Sequence, residues 1–469
     1  MKHYLLFFGI LSCLLLAGML PAQEKESAFD EMIDSIVQEA FSGFDEKYHT
    51  YIFTEEPSAL SESDEDFDWA YENLHWRRLN WNGSRLYAGI ESSRLNLAPS
   101  QAMPWESMNE HLMFRYNRVE ALFLGLSFPN RYVWDHRSIS LFGSGGWGTS
   151  SHRWRYNGGV TQQFGMGKTL IEVGVEGHSL TDTKDRWLND EAENTLAALF
   201  VRDDYRDYFG REGISAWLGV YGKWKNSDMQ VKVSYLNDQY ESLDWRTNWS
   251  IFGGGDKSFR NNPAINEGRM RSVLTSFEMH EEHQRSYFTA GWKAAVSAEI
   301  AGKSFGGDFG FNKYQLDFTR YQPLSKYENL DMRVHFGSTT GDAPIQKWFE
   351  LGGVSTLPAY TYKEFQGNRV ALFNVEYLLN GKIFDNVDIF PSWLLRNTNF
   401  ILFYDAGFTN AVASDSRFND GFETLTFQTL KTDWGLGIGS RDAKVRLGFS
   451  WRTDIAESVH IFLRLSRPF

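Results

Sequence analysis

Residues Gly143 to Gly148 read GSGGWG and match the pattern G-x-G-x-x-G, which in many enzymes holds the phosphates of a dinucleotide. Such a site needs the glycines between a strand and a helix, with an acidic residue about 20 positions further on. Here the run lies at a predicted hairpin between two strands, and no helical pattern follows it. The sequence therefore does not favour a nucleotide site.

Side chains typical of hydrolases and metal enzymes occur singly, without the spacing that their chemistry needs. The zinc pattern H-E-x-x-H does not occur in the chain. The lipase pattern G-x-S-x-G occurs once, at Gly302 to Gly306, but it lies between two predicted strands, whereas the nucleophile of lipases needs a strand followed by a helix. His178, His280 and Ser450 remain individual candidates for a hydrolase whose residues meet only in space, but none lies in a recognisable motif. The sequence therefore predicts no enzyme, no catalytic residue, no metal site and no cofactor.

Residues 1–23 have the features of a secretory signal peptide. Lys2 supplies a short positive segment, residues 4–20 are apolar, and Ala22 is a small residue at a suitable cleavage site. A lipoprotein signal ending at Cys13 is the alternative, although apolar residues continue after this cysteine. Because Cys13 is the single cysteine of the chain, removal of a signal peptide leaves no residue for disulfides or thiolate metal ligands.

Residues 24–80 form a separate acidic segment. Within it, residues 24–70 hold fifteen acidic side chains and two lysines, which accounts for the net charge of −13 of the whole chain. Apolar residues at helical spacing predict a short amphipathic helix over about 25–41. The rest of the chain is close to neutral, so nucleic acid is not an expected partner. The helical stripe of the acidic segment favours docking either on a periplasmic protein partner or in the lumen mouth of the β-barrel predicted below.

From about residue 80 onward, apolar and polar residues alternate with the period of a β-strand. In residues 367–381, for example, apolar Phe373 and Val375 alternate with polar Asn374 and Glu376. The predicted strands are about 10–15 residues long, which is enough to cross a bilayer when the strands are tilted. Aromatic residues make up 16% of the chain, as expected where aromatic girdles mark both membrane interfaces. Residues 81–469 are therefore predicted to form a transmembrane β-barrel.

Sixteen strands are predicted, and an even number is expected of a single-chain antiparallel barrel in a bacterial outer membrane. They are residues 82–95, 112–129, 137–147, 153–164, 168–179, 212–224, 227–242, 266–281, 286–301, 308–322, 328–340, 367–381, 398–408, 430–440, 443–453 and 457–468. Tight turns alternate with long connections, except that the long connection 382–397 falls on the tight-turn side. The predicted fold class is all-β, a 16-stranded antiparallel transmembrane β-barrel preceded by a short acidic N-terminal segment.

Two short motifs in the C-terminal part of the chain carry a resemblance to a known family. Gly352 and Gly353, followed by Leu357-Pro358-Ala359-Tyr360, precede the strand predicted at 367–381. Phe403-Tyr404-Asp405-Ala406-Gly407 lies in the next predicted strand. Over roughly residues 325–469, the chain resembles the BamA/TamA surface-antigen superfamily of outer-membrane assembly and translocation barrels.

The resemblance implies that residues 341–366 form a loop that enters the barrel lumen. In the family, an arginine of the loop tetrad pairs with the aspartate of the second motif, here the motif of Phe403, Asp405 and Gly407. This chain keeps the aspartate but has Pro358 within a tetrad that lacks an arginine. Because an unpaired buried charge is costly, we expect Asp405 to be hydrated or paired with a replacement cation, for which Lys363 and Arg369 are the nearest candidates.

The resemblance also implies a location and a role. The acidic segment is too short for the POTRA domains of the assembly members. We expect a protein of the bacterial outer membrane, surrounded by outer-membrane lipid, that handles protein or lipid there. A channel-forming or structural barrel without translocation activity is the alternative. Phe469 ends an amphipathic strand and resembles the C-terminal signal that the outer-membrane assembly machinery, an expected partner, binds.

Overall fold

A computed structural model of the chain describes residues 112–128, 139–166, 169–224, 227–252, 256–285, 287–384, 395–440, 445–455 and 458–465. The predicted signal peptide, the acidic segment, the strand predicted at 82–95 and Phe469 lie outside these described residues. Within them, sixteen strands form a single antiparallel sheet, and two short strands form a second sheet.

The sixteen strands follow one another along the chain. They are β1 (Leu112–Asn117), β2 (Ala121–Phe128), β3 (Ile139–Gly148), β4 (Arg153–Met166), β5 (Thr169–Asp182), β6 (Phe209–Trp224), β7 (Ser227–Ser242), β8 (Gly268–Arg285), β9 (Phe288–Ala301), β10 (Gly310–Pro323), β11 (Glu328–Asp342), β14 (Arg369–Asn380), β15 (Thr398–Asn410), β16 (Lys431–Ser440), β17 (Arg446–Arg452) and β18 (His460–Arg464). The second sheet pairs β12 (Phe349–Leu351) with β13 (Phe365–Gly367), both within the connection from β11 to β14. Among the described residues, no ladder joins β1 to β18.

The predicted all-β class and a sixteen-stranded antiparallel sheet are confirmed among the described residues, but the N-terminal strands differ from the prediction. Within the single strand predicted at 112–129, residues 112–128 fold into the hairpin of β1 and β2. The cause is Asn117, whose side-chain oxygen accepts hydrogen bonds from the backbone N–H groups of Val119 and Glu120. Such a local bond stabilises a turn in place of a continuing strand. The apolar residues on either side of this turn concealed it in the sequence. The glycine-rich run Gly143 to Gly148 lies within β3, and β4 follows it.

The two faces of the large sheet differ sharply in composition. One face is exposed and apolar, with Leu141 of β3 exposed over 75% of its surface. Further exposed residues on this face are Phe114, Leu124, Val173, Ile214, Leu218, Phe373, Leu402, Leu436, Ile461 and Leu463. The opposite face is buried and polar, with Glu172, Glu176, Arg333, Asn374, Glu376, Asp405, Asp433, Arg446 and Arg464. An apolar outside and a polar inside are characteristic of a membrane β-barrel. We therefore call these the lipid-facing face and the lumenal face.

Long connections lie at one end of the sheet, which we call the long-loop end. They include residues 183–208, 243–267, 343–368 and 411–430. The first contains helix α1 (Glu191–Val201), which begins where the Asp190 carboxylate accepts a hydrogen bond from the Ala192 backbone N–H at 2.8 Å. It ends at Arg202, which has left-handed backbone dihedral angles. In the described ranges, no helix combines the length and the hydropathy of a membrane span.

Candidate functional site

The connection between β11 and β14, residues 343–368, folds back onto the lumenal face, and we call it the lumenal loop. Its apolar side chains form a buried cluster with Val370 and Leu372 of β14. The loop members of this cluster are Phe349, Leu351, Leu357 and Tyr360. Leu372 shares its face of β14 with Asn374 and Glu376, which are polar and buried. The loop therefore packs against the lumenal face of the sixteen-stranded sheet, which we call the wall.

Gly352 and Gly353 close the lumenal loop on itself. Both have positive φ angles, 116° and 93°, which residues with a Cβ rarely adopt. A Cβ on Gly352 would lie 2.3 Å from the carbonyl oxygen of Thr361. Gly353 exchanges two backbone hydrogen bonds of 3.0 Å with Leu357. These glycines set the position from which Leu357 to Tyr360 reach the wall.

The tetrad Leu357-Pro358-Ala359-Tyr360 docks on the wall beside the second motif. Leu357 is fully buried, and its methyl groups occupy the space that a side chain at Gly407 would need. The Ala359 backbone N–H donates to Asp433 Oδ2 at 2.8 Å. The Tyr360 hydroxyl donates to the carbonyl oxygen of Thr432 at 3.2 Å. The structure thus brings the two motifs into contact, and Asp433 is a contact residue that the sequence did not indicate.

Asp405 contacts an amide and not a cation. It is buried, and its Oδ1 accepts a hydrogen bond of 2.6 Å from Asn374, the residue directly opposite on β14. On the other side it faces Asp433 of β16. The expectation of a hydrated or cation-paired carboxylate did not include this amide donor. Asn374 could have been found from the sequence, because it alternates on the polar face of a predicted strand.

The two candidate replacement cations bind elsewhere. Lys363 Nζ lies 2.7 Å from Asp185, 2.5 Å from Asp207 and 2.8 Å from Glu350. Lys363 has a positive φ of 57°, and its side chain reaches the connection between β5 and β6. Arg369 is fully buried and donates to backbone carbonyl oxygens. Those carbonyls belong to Thr339, Asn368, Arg417 and Asp420. The expectation that either residue would pair with Asp405 is therefore corrected.

Lys363 joins the lumenal loop to residues 183–208, which we call the crossing loop. Burial opposes its charge, but the nearby carboxylates outweigh that effect and hold the pKa of Lys363 well above its usual value. Burial likewise opposes the charge of Asp207, yet Lys363 and Arg260 lower the pKa of this carboxyl. Lys184 adds a second ion pair between the loops, 3.0 Å from Glu350. Breaking a buried pair of this kind typically costs about 3–5 kcal/mol.

The crossing loop also contacts the lumenal face of β11. The ring of Trp187 stacks on His335 with a centroid distance of 5.2 Å and an interplanar angle of 15°. The Arg333 guanidinium lies 5.0 Å from the Trp187 ring centroid. Both Arg333 and His335 contact Asp317 on β10. The crossing loop therefore reaches the buried side of the wall several strands away from its origin.

The remaining predicted residues have structural contacts. Phe403 is buried and packs edge-on against Phe462 of β18, with ring centroids 5.9 Å apart. His178 lies between Glu176 and Asp238, His280 is near Asp228, and Ser450 donates to the carbonyl oxygen of His460. These three candidate residues lie on β5, β8 and β17, which are not neighbours in the sheet. Among the described residues, no group of three or more His, Cys, Asp or Glu side chains is arranged to hold a metal ion.

Comparisons with known proteins give similarities among solved structures only. No family model matches the chain, and no curated protein matches it. The chain is similar to BamA from Haemophilus ducreyi lacking POTRA domains 1–3, with 13% identity, a TM-score of 0.46 and coverage of 88% of this chain and 79% of that one. It is also similar to CdiB from Acinetobacter baumannii, with 12% identity, a TM-score of 0.39 and coverage of 76% and 59%. For CdiB from Escherichia coli the corresponding values are 12%, 0.38, 75% and 60%. The chain thus spans about three fifths of each CdiB chain.

Proposed function

We propose that this protein is a β-barrel of the bacterial outer membrane that handles protein or lipid there and is not an open pore. The observation that carries the proposal is the docking of Leu357 to Tyr360 against Gly407 and Asp433. The resemblance of these two motifs to the BamA/TamA superfamily supports a role in assembly or translocation. The similar solved structures include BamA and CdiB, as reported above.

The two interior loops favour this role over that of a diffusion channel. Sixteen-stranded porins leave an aqueous channel. Here the lumenal loop is fixed to the wall through Asp433, and the crossing loop is fixed to the lumenal loop through Lys363. Arg464 of β18 adds a contact to each loop, since it donates to the carbonyl oxygens of Val354 and Leu188. Loops held by buried polar contacts would obstruct free diffusion of solutes.

The expected partners belong to the same proposal. Outer-membrane lipid would cover the lipid-facing face. The outer-membrane assembly machinery would bind the C-terminal strand that ends at Phe469. A periplasmic protein would bind the acidic segment 24–80, whose charge is concentrated in a short stretch.

Two measurements test the proposal. In planar bilayers, the wild-type protein should show no steady conductance, whereas a variant lacking residues 352–364 should conduct. A steady conductance of the wild type would indicate the channel alternative. In bacteria depleted of the protein, we expect altered amounts of outer-membrane proteins or lipids at the cell surface, restored by the wild type and not by Leu357→Asp. An unchanged outer membrane on depletion would indicate a purely structural barrel.

A further inference from the structure

An exposed apolar surface lies outside the wall strands, on helix α1 and the connection between β7 and β8. Five of its side chains are exposed over 41–73% of their area, with Phe252 the most exposed. We call this surface the α1 patch, which consists of Leu196, Phe200, Val201, Trp249, Ile251 and Phe252. A contiguous exposed apolar surface of this kind usually marks an interaction site.

Direct contacts make the α1 patch one continuous surface. The backbone N–H groups of Ile251 and Phe252 donate to the carbonyl oxygens of Leu199 and Phe200, at 2.8 and 3.0 Å. These carbonyls lie in the last turn of α1, where the helix itself provides no donors. The rings of Phe200 and Phe252 lie 5.7 Å apart. The connection therefore extends the surface of the helix.

The α1 patch continues the lipid-facing face of β1 and β2. On β1, Tyr116 follows the exposed Phe114 on the same face, because side chains two residues apart point the same way. Tyr116 is covered by Trp249, whose ring lies 6.1 Å away and whose carbonyl oxygen accepts from the Tyr116 hydroxyl at 2.6 Å. Ala198 and Leu199 of α1 join Tyr116 in the same apolar cluster. Apolar side chains of α1 and of β1 therefore meet at this contact.

Hydrogen bonds to the first and last strands hold the helix in place. The Thr195 hydroxyl accepts from the Tyr116 backbone N–H at 3.3 Å. Glu193 Oε1 accepts from the Leu465 backbone N–H, at the end of β18, at 3.2 Å. Arg118, in the turn between β1 and β2, is fully buried and binds Asp204 and Asp207 of the crossing loop. The α1 patch is therefore held beside the C-terminal end of β1.

We propose that the α1 patch lies in the membrane, with its side chains inserted among lipid acyl chains at the long-loop interface. Continuity with the lipid-facing face argues for lipid as the occupant. The composition agrees, because tryptophan and phenylalanine are favoured at membrane interfaces, where an apolar helix face can lie in the plane of the bilayer. Helix α1 would then be an interfacial membrane element supplied by a loop that also fills the lumen. This inference rests on the proposed membrane location of the barrel.

Spin labels at single cysteines test the insertion. The chain has one cysteine, Cys13, so Phe252→Cys is made in a Cys13→Ser background, and the full chain is reconstituted in phosphatidylcholine vesicles. Collisions of the label with oxygen, which concentrates in lipid, are compared with collisions with a water-soluble nickel complex. Leu141→Cys on β3 provides the lipid reference. Phe427→Cys provides the aqueous reference, because Phe427 is 97% exposed in another long loop.

The expected ratio of oxygen to nickel collisions at position 252 is close to that at 141 and several-fold above that at 427. A ratio at 252 equal to that at 427 would overturn the inference while leaving the barrel intact. A label at 252 shielded from both reagents would also overturn it, because it would show a protein partner or a second copy on the patch. An aqueous label at 141 would instead contradict the membrane barrel itself, so the two failures are distinguishable.

Discussion

Asp405 and Asp433 face each other across β15 and β16, directly opposed in the strand register. Both are buried, and their donors are the Asn374 side chain at 2.6 Å and the Ala359 backbone N–H at 2.8 Å. Where the resembled family joins loop and wall through an arginine, this chain has Pro358 and joins them through a backbone amide. At Asp433 the lumenal loop is thus attached by a neutral donor, whereas the cation nearest the tetrad is Arg452 of β17, whose guanidinium lies 4.3 Å from the Tyr360 ring centroid.

The first prediction concerns the charge of Asp405. Asp405→Asn should leave the free energy of unfolding within about 1 kcal/mol, because the amide keeps an acceptor for Asn374 and adds a donor toward Asp433. Asn374→Ala should cost about 1–3 kcal/mol, since it leaves a buried carboxylate without its donor. Thermal melting of both variants in detergent measures the difference. A large loss of stability in Asp405→Asn would show that an ionised carboxylate with a cation is required.

The second prediction concerns the link between the two interior loops. Lys363→Met should destabilise the docked loops by about 3–5 kcal/mol, because it removes the cation that buried Asp185 and Asp207 share with half-buried Glu350. Limited proteolysis in detergent should then cut the lumenal loop while the wall strands stay intact. Lys326→Met is the matched control, since Lys326 is exposed in the turn between β10 and β11. Equal protease resistance of the two variants would contradict a role of Lys363 in holding the loops.

The third prediction is the pH dependence of that link. The pKa of Lys363 is raised in the folded state. Its contribution to the free energy of unfolding is therefore fully present below the pKa of the unfolded state, about 10.4, and is lost as pH rises through the pKa of the folded state. The pKa of Asp207 is lowered in the folded state. Its contribution to the free energy of unfolding is therefore present above the pKa of the unfolded state, about 3.9, and is lost as pH falls through the pKa of the folded state. The difference in melting temperature between wild type and Lys363→Met should therefore be largest between about pH 5 and 9 and shrink at both extremes.

Melting curves of both proteins across the pH range provide this measurement. Lys363→Arg is a useful comparison, because the higher pKa of arginine should move the alkaline loss to higher pH. A difference in melting temperature that stays constant at all pH values would mean that apolar packing of the lysine stem, and not its charge, stabilises the loops.

The sequence predicts the wall well because alternation is a local property. Each strand carries its own two-residue period, as in the alternation of Phe373 with Asn374. The hairpin of β1 and β2 was missed because one side chain, Asn117, decides the turn within an otherwise continuous pattern. Errors of this kind arise where a single hydrogen bond competes with a run of apolar residues.

The site is harder to predict because its partners are remote in the chain. Lys363 binds Asp185 and Asp207, which precede it by 178 and 156 residues, and no local spacing records such a contact. Lys363 and Arg369 follow Pro358 closely in sequence, which suggested that one of them pairs with Asp405, but the fold does not make this contact. By contrast, Asn374 and Asp405 occupy opposed positions on adjacent strands, a relationship that strand register alone can supply.

The last prediction tests whether the fit of Leu357 against Gly407 holds the lumenal loop. A Cβ at position 407 would lie 2.8 Å from Leu351 Cδ1 and 2.9 Å from Leu357 Cδ1. Gly407→Val should therefore expose the loop to protease while the wall stays folded, because overpacking of this kind typically costs about 1–3 kcal/mol. Gly177→Val on β5 is the control, since a Cβ there meets nothing within 4 Å.

A second substitution, at Leu357, tests whether its contact with position 407 causes the loss of protease resistance. Adding Leu357→Ala to Gly407→Val removes the two Leu357 methyl groups near the new side chain and leaves that of Leu351, so part of the protease resistance should return. Leu357→Ala alone should lose stability, because it empties a fully buried site, at a cost typical of about 2–5 kcal/mol. The losses of stability caused by Gly407→Val and by Leu357→Ala should then be non-additive, as expected for residues in direct contact. Strictly additive losses in the double variant would show that Gly407 acts through the wall and not through the tetrad.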